Sequence, residues 1–396
     1  MLFIFVIKYK ANLGFMVQLT WYQLVLVVGF IQALILIFLL LLKPENRKSN
    51  LLLAALLFVI GRGDISELLP GVNLARDYPF LLPVFYEYLF VLGPILYFYV
   101  RSLTQSTFRF NRVFWIYIGL ALSLDIAYDY TLYWCRMTKF CSRAWIITFA
   151  EIFSLLSVMQ MGVVLVLSVR TLRQYDRSLK DHFTNLEKIN LRWLQNLLKA
   201  IGALAIYWII LVWVDILFFD YRINDIYYNA LNVAVVITVY WIGFSQYIRP
   251  RVVIVEEIEV VPKISDEAPK VASPSPLAED EMQQYAQMLQ KAMQQDQLYL
   301  DATLNLNALA KHLDIPAKHI SHTLNQHVGK NLNDFVNEFR IEEVKQKLID
   351  PKFAHLTILG IAFEAGFNSK ASFQRTFKKL VQCSPSEYKK QRAKAS

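Results

Sequence analysis

The stretch that decides the fold of the C-terminal region runs from Ile358 to Leu380 and reads ILGIAFEAGFNSKASFQRTFKKL. Its first half has apolar residues at the i, i+3, i+4, i+7 spacing of one buried helical face, namely Ile358, Ile361, Ala362 and Ala365. Gly366 can adopt the positive φ that ends this helix. Ser369 can cap a second helix that follows directly. The stretch therefore predicts two short helices joined by a tight turn.

The second of these helices separates an apolar face from a polar one. We predict that three apolar residues face the core, namely Phe373, Phe377 and Leu380. At 100° per residue the opposite face then carries Ala371, Arg375 and Lys378. A helix that reads DNA in the major groove needs this arrangement, with apolar residues inward and hydrogen-bond donors outward.

An earlier stretch repeats the same plan between residues 306 and 326. Its first apolar stripe comprises Leu306, Leu309, Ala310 and Leu313. Asp314 stands at the turn, and Pro316 fits the first turn of the next helix. In that helix the core side is marked by Ile320 and Leu324, so the outward side carries Lys318, His322 and Asn325. Between the two units, the apolar pattern from Leu332 to Ile349 predicts one long connecting helix.

The charge of the C-terminus suits a polyanionic partner. The chain has a formal net charge of +9, and from Pro351 to Ser396 nine Lys and Arg residues stand against two acidic residues. Such a block can bind phosphate, although charge alone is equally compatible with a solvated basic face. The tandem repeat of the two-helix pattern is the more specific signal.

These residues resemble the DNA-binding domain of the AraC/XylS family of transcription regulators. The resemblance covers about residues 300–392 and rests on Ile361-Ala362-x-x-x-Gly366-Phe367-x-Ser369-x-x-x-Phe373-x-Arg375-x-Phe377-Lys378-Lys379, followed by Ser384-Pro385-x-x-Tyr388. Four places depart from the family pattern, namely Asp314, Pro316, Leu359-Gly360 and Gln382. The resemblance implies an all-α, homeodomain-like domain whose two recognition helices enter successive segments of the DNA major groove.

The resemblance also implies which residues contact DNA. Matched by position, Lys318, Ser321 and His322 would read bases in the first unit. The corresponding set in the second unit is Lys370, Ala371, Ser372 and Arg375, with Lys378 also on the DNA side. Arg340, in the connecting helix, is compatible with a structural part or with phosphate binding.

The first 250 residues have the composition of a membrane domain. Of the whole chain 56% is hydrophobic, and charged residues are sparse from Gln23 to Ile248. Seven apolar segments of about 20 residues can each cross a bilayer, namely Gln23–Leu42, Asn50–Leu69, Leu81–Val100, Arg112–Tyr130, Trp145–Val169, Leu197–Phe219 and Ile226–Ile248. Seven such spans leave too little polar face for a soluble helical domain. With the C-terminal domain, they resemble a bacterial group of regulators with seven membrane helices.

The loop charges orient these spans. Lys and Arg concentrate in the first, third and fifth loops and at the start of the tail, whereas the second outer loop departs from the trend with Arg136, Lys139 and Arg143. This bias predicts a multi-pass protein of the bacterial inner membrane, with the N-terminus outside and the C-terminal domain in the cytoplasm. In the outward loop Cys135 and Cys141 are candidates for a disulfide.

The remaining segments complete four predicted regions. Residues 1–22 form an N-terminal extension in which either Met1 or Met16 is the start, and residues 23–250 form the membrane sensor domain. Residues 251–280 are a Pro-rich linker, and residues 281–396 are the DNA-binding domain. The helical stretch from Glu279 to Gln297 is either the first helix of that domain or a short dimer helix.

Five carboxylic acids fall within the predicted spans, namely Glu87, Asp125, Asp129, Glu151 and Asp215. Charged groups in lipid are costly, so such residues usually face the bundle interior. They could form a ligand pocket, or they could be polar packing pairs and near-interface positions. Both interpretations remain open at this stage.

No sequence pattern indicates catalysis or a cofactor. Metal-ligand spacing, a phosphate loop and a nucleophile elbow are not found, and the pair His319 and His322 lacks a third ligand. The sequence therefore predicts a non-enzymatic, membrane-integral transcription regulator that binds double-stranded promoter DNA. An unknown small signal, RNA polymerase and a second copy of the chain are its further candidate partners. The alternative is a membrane transporter or receptor whose tail binds a protein, which would not need an outward cationic face.

Overall fold

The described part of the chain is helical. The computed structural model describes residues 21–68, 89–105, 107–186, 191–219, 227, 229–231, 233–238, 241 and 279–395. Within these residues a single bridge between Phe183 and Asn305 is the one contact of β type. The all-α prediction is confirmed for the described ranges.

The helices group into two compact units. The first unit takes in residues 1–173 and 191–254, and the second takes in residues 174–190 and 255–396. The main helices of the first are α1 (Trp21–Leu42), α2 (Arg47–Leu68), α3 (Leu89–Thr104), α4 (Arg112–Thr138), α5 (Arg143–His182) and α6 (Arg192–Val214). The end of α5 belongs to the second unit, because the boundary falls between Arg173 and Gln174.

Four helices of the described residues are long and apolar enough to cross a membrane. They are Trp21–Leu42, Arg112–Cys135, Arg143–His182 and Arg192–Phe219, and they coincide with four of the seven predicted spans. Two further predicted spans overlap α2 and α3, which do not meet the same criterion. Residues 81–88 of the third predicted span and much of the seventh lie outside the described residues.

One predicted span is much longer than expected. Helix α5 runs without a break from Arg143 to His182, whereas the sequence pattern predicted a span ending at Val169 and a basic loop after it. The residues from Arg170 to His182 are rich in charge, but Leu172, Tyr175 and Leu179 continue an i, i+3, i+7 apolar stripe in which Leu172 and Leu179 are buried. Helix propagation adds a hydrogen bond per residue, so the helix continues past the apolar region.

One of the predicted intramembrane acids joins two helices of the first unit. The carboxylate of Asp125 on α4 accepts hydrogen bonds from the backbone N–H groups of Phe90 and Val91, each at 3.0 Å. These are two of the N–H groups that the start of α3 cannot satisfy within its own helix. Asp125 is fully buried, so the two bonds give it a part in packing α3 against α4.

The other four predicted acids differ in their environments. Asp129 and Asp215 are buried and Glu151 is half-buried, while Glu87 lies outside the described residues. In the same unit Cys135 and Cys141 are joined as a disulfide, with their Cα atoms 5.2 Å apart. This separation lies in the range that a disulfide requires.

The second unit contains the C-terminal helices. They are α7 (Glu279–Gln294), α8 (Leu306–Leu313), α9 (Ala317–Thr323), α10 (Leu332–Ile349), α11 (Ile358–Glu364), α12 (Lys370–Val381) and α13 (Pro385–Ala395). A short π turn, Leu324–Val328, extends α9. Helix α10 has the bounds that the apolar pattern predicted.

Two hydrophobic clusters stabilise this unit, and α10 contributes to both. The first cluster gathers Leu309, Ile320 and Leu324 with Leu332 and Val336 from the start of α10. The second gathers Ile341, Val344 and Leu348 of α10 with buried residues of α11, α12 and α13. Leu289 and Met293 of α7 belong to the first cluster. Helix α7 is thus packed as the first helix of this domain, one of its two predicted roles.

Candidate DNA-binding surface

The first helix-turn-helix unit has the predicted turn. The side chain of Asn305 caps α8 by accepting from the backbone N–H of Ala308 at 2.9 Å. Asp314 ends α8 in the left-handed region with φ 56°. Pro316 occupies the N-cap position of α9, one residue before the helix begins, and not the first turn that the sequence suggested. Its φ of −55° suits both positions because the ring fixes that angle.

The outward side of α9 carries the predicted donors. Ile320 and Leu324 are completely buried, so the opposite side of the helix is left to solvent. Lys318 and His322 are exposed there and Ser321 is half-buried. The structure therefore presents all three predicted residues of the first unit at or near the surface.

The second unit has the same construction with a glycine turn. Thr357 caps α11 by accepting from the backbone N–H of Gly360 at 2.9 Å, and Gly366 follows the helix with φ +91°. The hydroxyl of Ser369 then accepts from the backbone N–H of Ser372 at 3.1 Å and caps α12. These contacts satisfy N–H groups that each helix start leaves without an intrahelical acceptor.

The outward side of α12 is cationic. Lys370, Ala371, Arg375 and Lys378 are exposed, and Ser372 is half-buried. Lys370, Gln374 and Lys378 also line a cleft of about 450 Å³ between α11, α12 and the start of α13. The helix has no acidic residue between Lys370 and Val381. This face can hold an anion, and its guanidinium can donate two parallel hydrogen bonds to a base edge.

The last residues of α12 correct one prediction. Leu380 was predicted to face the core, but 40% of its surface is exposed. Val381 packs against the second cluster instead. The core contact of the last turn of α12 is thus made by Val381, four residues after Phe377, and Leu380 lies at the edge of the core.

Two other basic residues are engaged within the domain. The ammonium of Lys379 lies 2.8 Å from the carboxylate of Asp334 in an exposed ion pair. Arg340 is 2% exposed and donates to the backbone carbonyls of Tyr299 and Asp301 at 2.7 and 2.8 Å. Burial lowers the pKa of Arg340 to about 10, against the opposing effect of nearby Asp301, so the guanidinium remains charged at neutral pH. Of its two predicted roles, the structure assigns Arg340 the structural one.

The histidine pair does not form a metal site in the described residues. The ring of His319 stacks on that of Tyr285, with centroids 6.1 Å apart, whereas His322 is exposed on the outward side. No group of three His, Cys, Asp or Glu side chains among the described residues is arranged to hold a metal ion.

Sequence reasoning missed one contact at this surface. Asn325 was predicted to point outward, and it is exposed. Its amide nitrogen lies 3.4 Å from the carboxylate of Asp181 and 3.5 Å from the hydroxyl of Ser321. Asp181 is 144 residues earlier in the chain, and no local pattern indicates so distant a partner.

This domain matches a known protein family. Residues 309–391 match the family model described as a helix-turn-helix domain. The chain is similar to the uncharacterized HTH-type transcriptional regulator SACOL0084 of Staphylococcus aureus (strain COL), with 32% identity over 93 residues, which are 24% of this chain and 12% of that protein. It is also similar to the transcriptional regulatory protein HptR of Staphylococcus aureus (strain NCTC 8325 / PS 47), with 34% identity over 88 residues, which are 22% of this chain and 33% of that protein. No solved structure matches the chain.

These matches establish the class of the C-terminal domain. It is a helix-turn-helix domain, and the relatives it resembles are named as transcription regulators. The chain spans 12% and 33% of the lengths of those two relatives.

Proposed function

We propose that this protein is a membrane-integral transcription regulator that binds promoter DNA through both helix-turn-helix units. The observation that carries the proposal is the outward cationic face of α12, with Lys370, Arg375 and Lys378 exposed on a domain of helix-turn-helix class. The exposed Lys318 and His322 of α9 give the first helix-turn-helix unit hydrogen-bond donors on its outward side as well. Ala371 and the two serines, Ser321 and Ser372, complete the proposed contact set.

The membrane half supplies the sensory part of this proposal. Four helices of sufficient length and apolarity support insertion in a membrane, and we propose seven spans in the bacterial inner membrane. The N-terminus is then outside and the DNA-binding domain is in the cytoplasm, as the positive loops favour. The signal is proposed to act at the buried acids of the bundle. RNA polymerase and a second copy of the chain are proposed as further partners.

Arg375→Ala is expected to weaken binding to a selected DNA sequence about 10- to 100-fold and to relax discrimination at one base pair. The reason is that a guanidinium contacting a base edge is lost together with its two donors. Lys378→Ala is expected to weaken binding to all duplexes alike and to reduce the salt slope by about one, because it removes a phosphate contact. Both effects are measured by fluorescence anisotropy with the duplex that the wild-type protein selects from a random pool.

Lys352→Ala is the matched control for these variants. Lys352 is an exposed lysine of the same domain, located on the short helical turn after α10 and outside both recognition helices. Lys352→Ala removes one positive charge, as Lys378→Ala does, and it is expected to leave the discrimination between DNA sequences unchanged. If the wild-type protein selects no sequence at any salt concentration, the proposed function is wrong, and a tail that binds protein becomes the better interpretation.

The proposed topology predicts where the cysteines react. In intact cells, a membrane-impermeant maleimide is expected to label Cys135 and Cys141 only after reduction, because they are joined as a disulfide in an outward loop. Cys383, the free cysteine of the cytoplasmic domain, is expected to react only after lysis. The double variant Cys135→Ser with Cys141→Ser serves as the control, since it should abolish the reduction-dependent signal. Labelling of Cys135 and Cys141 without reductant would contradict the disulfide, and labelling of Cys383 in intact cells would contradict the orientation.

A further inference from the structure

The end of α5 is built into the DNA-binding unit. Residues Gln174–Asn190 group with the C-terminal domain, although 88 residues of sequence separate Asn190 from Glu279 at the start of α7. We call the described part of this stretch, Gln174–Leu186, the docking segment. It comprises the last nine residues of α5 and the four residues that follow.

The docking segment is held by its backbone at Phe183 and Thr184. Phe183 forms a β bridge with Asn305, the residue that caps α8. The side-chain amide of Asn333 donates to the carbonyl of Thr184 at 2.7 Å and to that of Phe183 at 3.4 Å. The bridge and the two amide contacts together hold this part of the backbone against the start of α8 and against α10.

The side chain of Thr184 is buried against the C-terminal domain. It is 2% exposed, and its hydroxyl donates to the carbonyl of Leu304 at 2.5 Å. The guanidinium of Arg340 lies 3.5 Å from the same hydroxyl oxygen. A buried threonine hydroxyl with a donor and an acceptor in place is a specific contact, because an unpaired hydroxyl there would be costly.

The segment also places a negative charge beside the first recognition helix. The carboxylate of Asp181 lies 3.4 Å from the amide nitrogen of Asn325, which in turn lies 3.5 Å from the hydroxyl of Ser321. Asn325 and Ser321 are on the side proposed to face DNA. A DNA phosphate that approaches this side would meet a like charge, and this repulsion would weaken as the salt concentration rises.

We infer that the docking segment is an intramolecular latch that restrains the first helix-turn-helix unit from binding DNA until the membrane helix that carries it moves. The inference rests on the proposed function. Residues Arg143–His182 form one continuous helix, so a shift or rotation of α5 acts directly on the register of Phe183 and Thr184. The ligand state of the membrane half would thereby set the fraction of the protein in which the first helix-turn-helix unit is released from the docking segment. This fraction in turn sets the apparent DNA affinity.

Two variants of the full-length protein in lipid nanodiscs test the latch by different means. Thr184→Val keeps the shape of the side chain and removes its hydroxyl, and Asp181→Asn removes the charge beside Asn325. Both are expected to bind the duplex selected by the wild-type protein about 5-fold or more tightly, because Thr184→Val weakens the docked state relative to the free one and Asp181→Asn removes the charge with which the docked state repels a DNA phosphate. The gain from Asp181→Asn should shrink as salt concentration rises, because it removes a repulsion that salt screens, whereas the gain from Thr184→Val should not.

Matched controls separate the latch from general effects. Thr171→Val removes a hydroxyl that bonds only the carbonyl of Leu167 in its own helix. Asp280→Asn removes a negative charge from the exposed start of α7. Neither control touches the docking segment, and neither is expected to change DNA affinity more than about 2-fold. Circular dichroism and the thermal midpoint establish that each variant is folded.

The outcomes distinguish the latch from the function on which it rests. If the wild-type protein selects a duplex and both latch variants bind it no more tightly than their controls do, the latch is wrong and the regulator stands. Should Thr184→Val fail to fold, the DNA affinity of Asp181→Asn and its dependence on salt concentration test the latch alone. If neither the wild-type protein nor any variant selects a duplex, the proposed function is wrong and the latch is wrong with it.

Discussion

Gly366→Ala is expected to destabilise the DNA-binding domain by about 3–5 kcal/mol, which is a large part of the stability of a small domain. Gly366 has φ +91°, a conformation that side chains with a Cβ rarely adopt. A Cβ at this position would also overlap the carbonyl oxygen of Tyr299 and lie 3.0 Å from that of Leu300. Both neighbours are backbone atoms, so the strain cannot be relieved by a change of rotamer. The free energy of unfolding of residues 279–396, from urea denaturation followed by far-UV circular dichroism, measures the effect.

Gly329→Ala isolates the effect of the overlap. Gly329 also has a positive φ, +73°, but a Cβ there would meet no atom within 4 Å. It is expected to cost only the left-handed penalty, about 1–2 kcal/mol. The difference between the two variants is the cost of the overlap at the contact of α11 with the segment before α8. Equal costs would mean that Leu300 and Tyr299 move aside freely, which would contradict the close backbone contact at Gly366.

The helices of the C-terminal domain were predictable because their signals are local. Helix α10 begins and ends at the predicted Leu332 and Ile349. The caps Ser369 and Gly366 adopt the predicted conformations, and Asp314 takes the left-handed turn despite its Cβ. Hydrophobic periodicity and capping act within about eight residues, so one sequence is sufficient to identify them.

The exposure of the proposed DNA-binding residues was predictable for the same reason. Once Phe373 and Phe377 are assigned to the core, the helical period fixes the direction of Arg375. Leu380 shows where this reasoning fails. Its position on the helical wheel is at the edge of the core stripe, but the partner surface under the last turn of α12 contacts Val381 and leaves Leu380 exposed. Periodicity gives the direction of a side chain but not the extent of the partner surface.

The contacts of long sequence separation were not predictable. Asp181 with Asn325, Thr184 with Leu304, and Arg340 with Tyr299 depend on how distant elements pack. Residues 170–186 were predicted as a basic loop, and their docking was not foreseen because a contact made through backbone carbonyls imposes almost no residue pattern. Arg340 likewise had two interpretations, since a guanidinium can donate hydrogen bonds to a buried carbonyl as well as to a phosphate.

Arg340→Met is expected to destabilise the DNA-binding domain by about 3–5 kcal/mol, although methionine fills a similar volume. The guanidinium of Arg340 joins α10 to the backbone between α7 and α8 by donating to the carbonyls of Tyr299 and Asp301. Its substitution leaves both acceptors without this charged donor, and hydrogen bonds to charged groups contribute about 1.5–3 kcal/mol each. The free energy of unfolding of residues 279–396 is the measurement, with Lys345→Met as the control, since Lys345 pairs only with the exposed Glu342 on the same helix.

Arg340→Lys tests whether the fork geometry or the charge alone is needed. A lysine ammonium retains the charge but lacks the planar arrangement of Nε and Nη2 that reaches two carbonyls at once. An intermediate cost of about 1–3 kcal/mol is therefore expected, because one acceptor stays paired and the other does not. A phosphate-binding role for Arg340 makes the opposite forecast: Arg340→Met would then leave the unfolding free energy unchanged and weaken DNA binding with a reduced salt slope. The burial of Arg340 at 2% exposure favours the first result, since a phosphate of intact duplex DNA cannot reach a group enclosed by the domain.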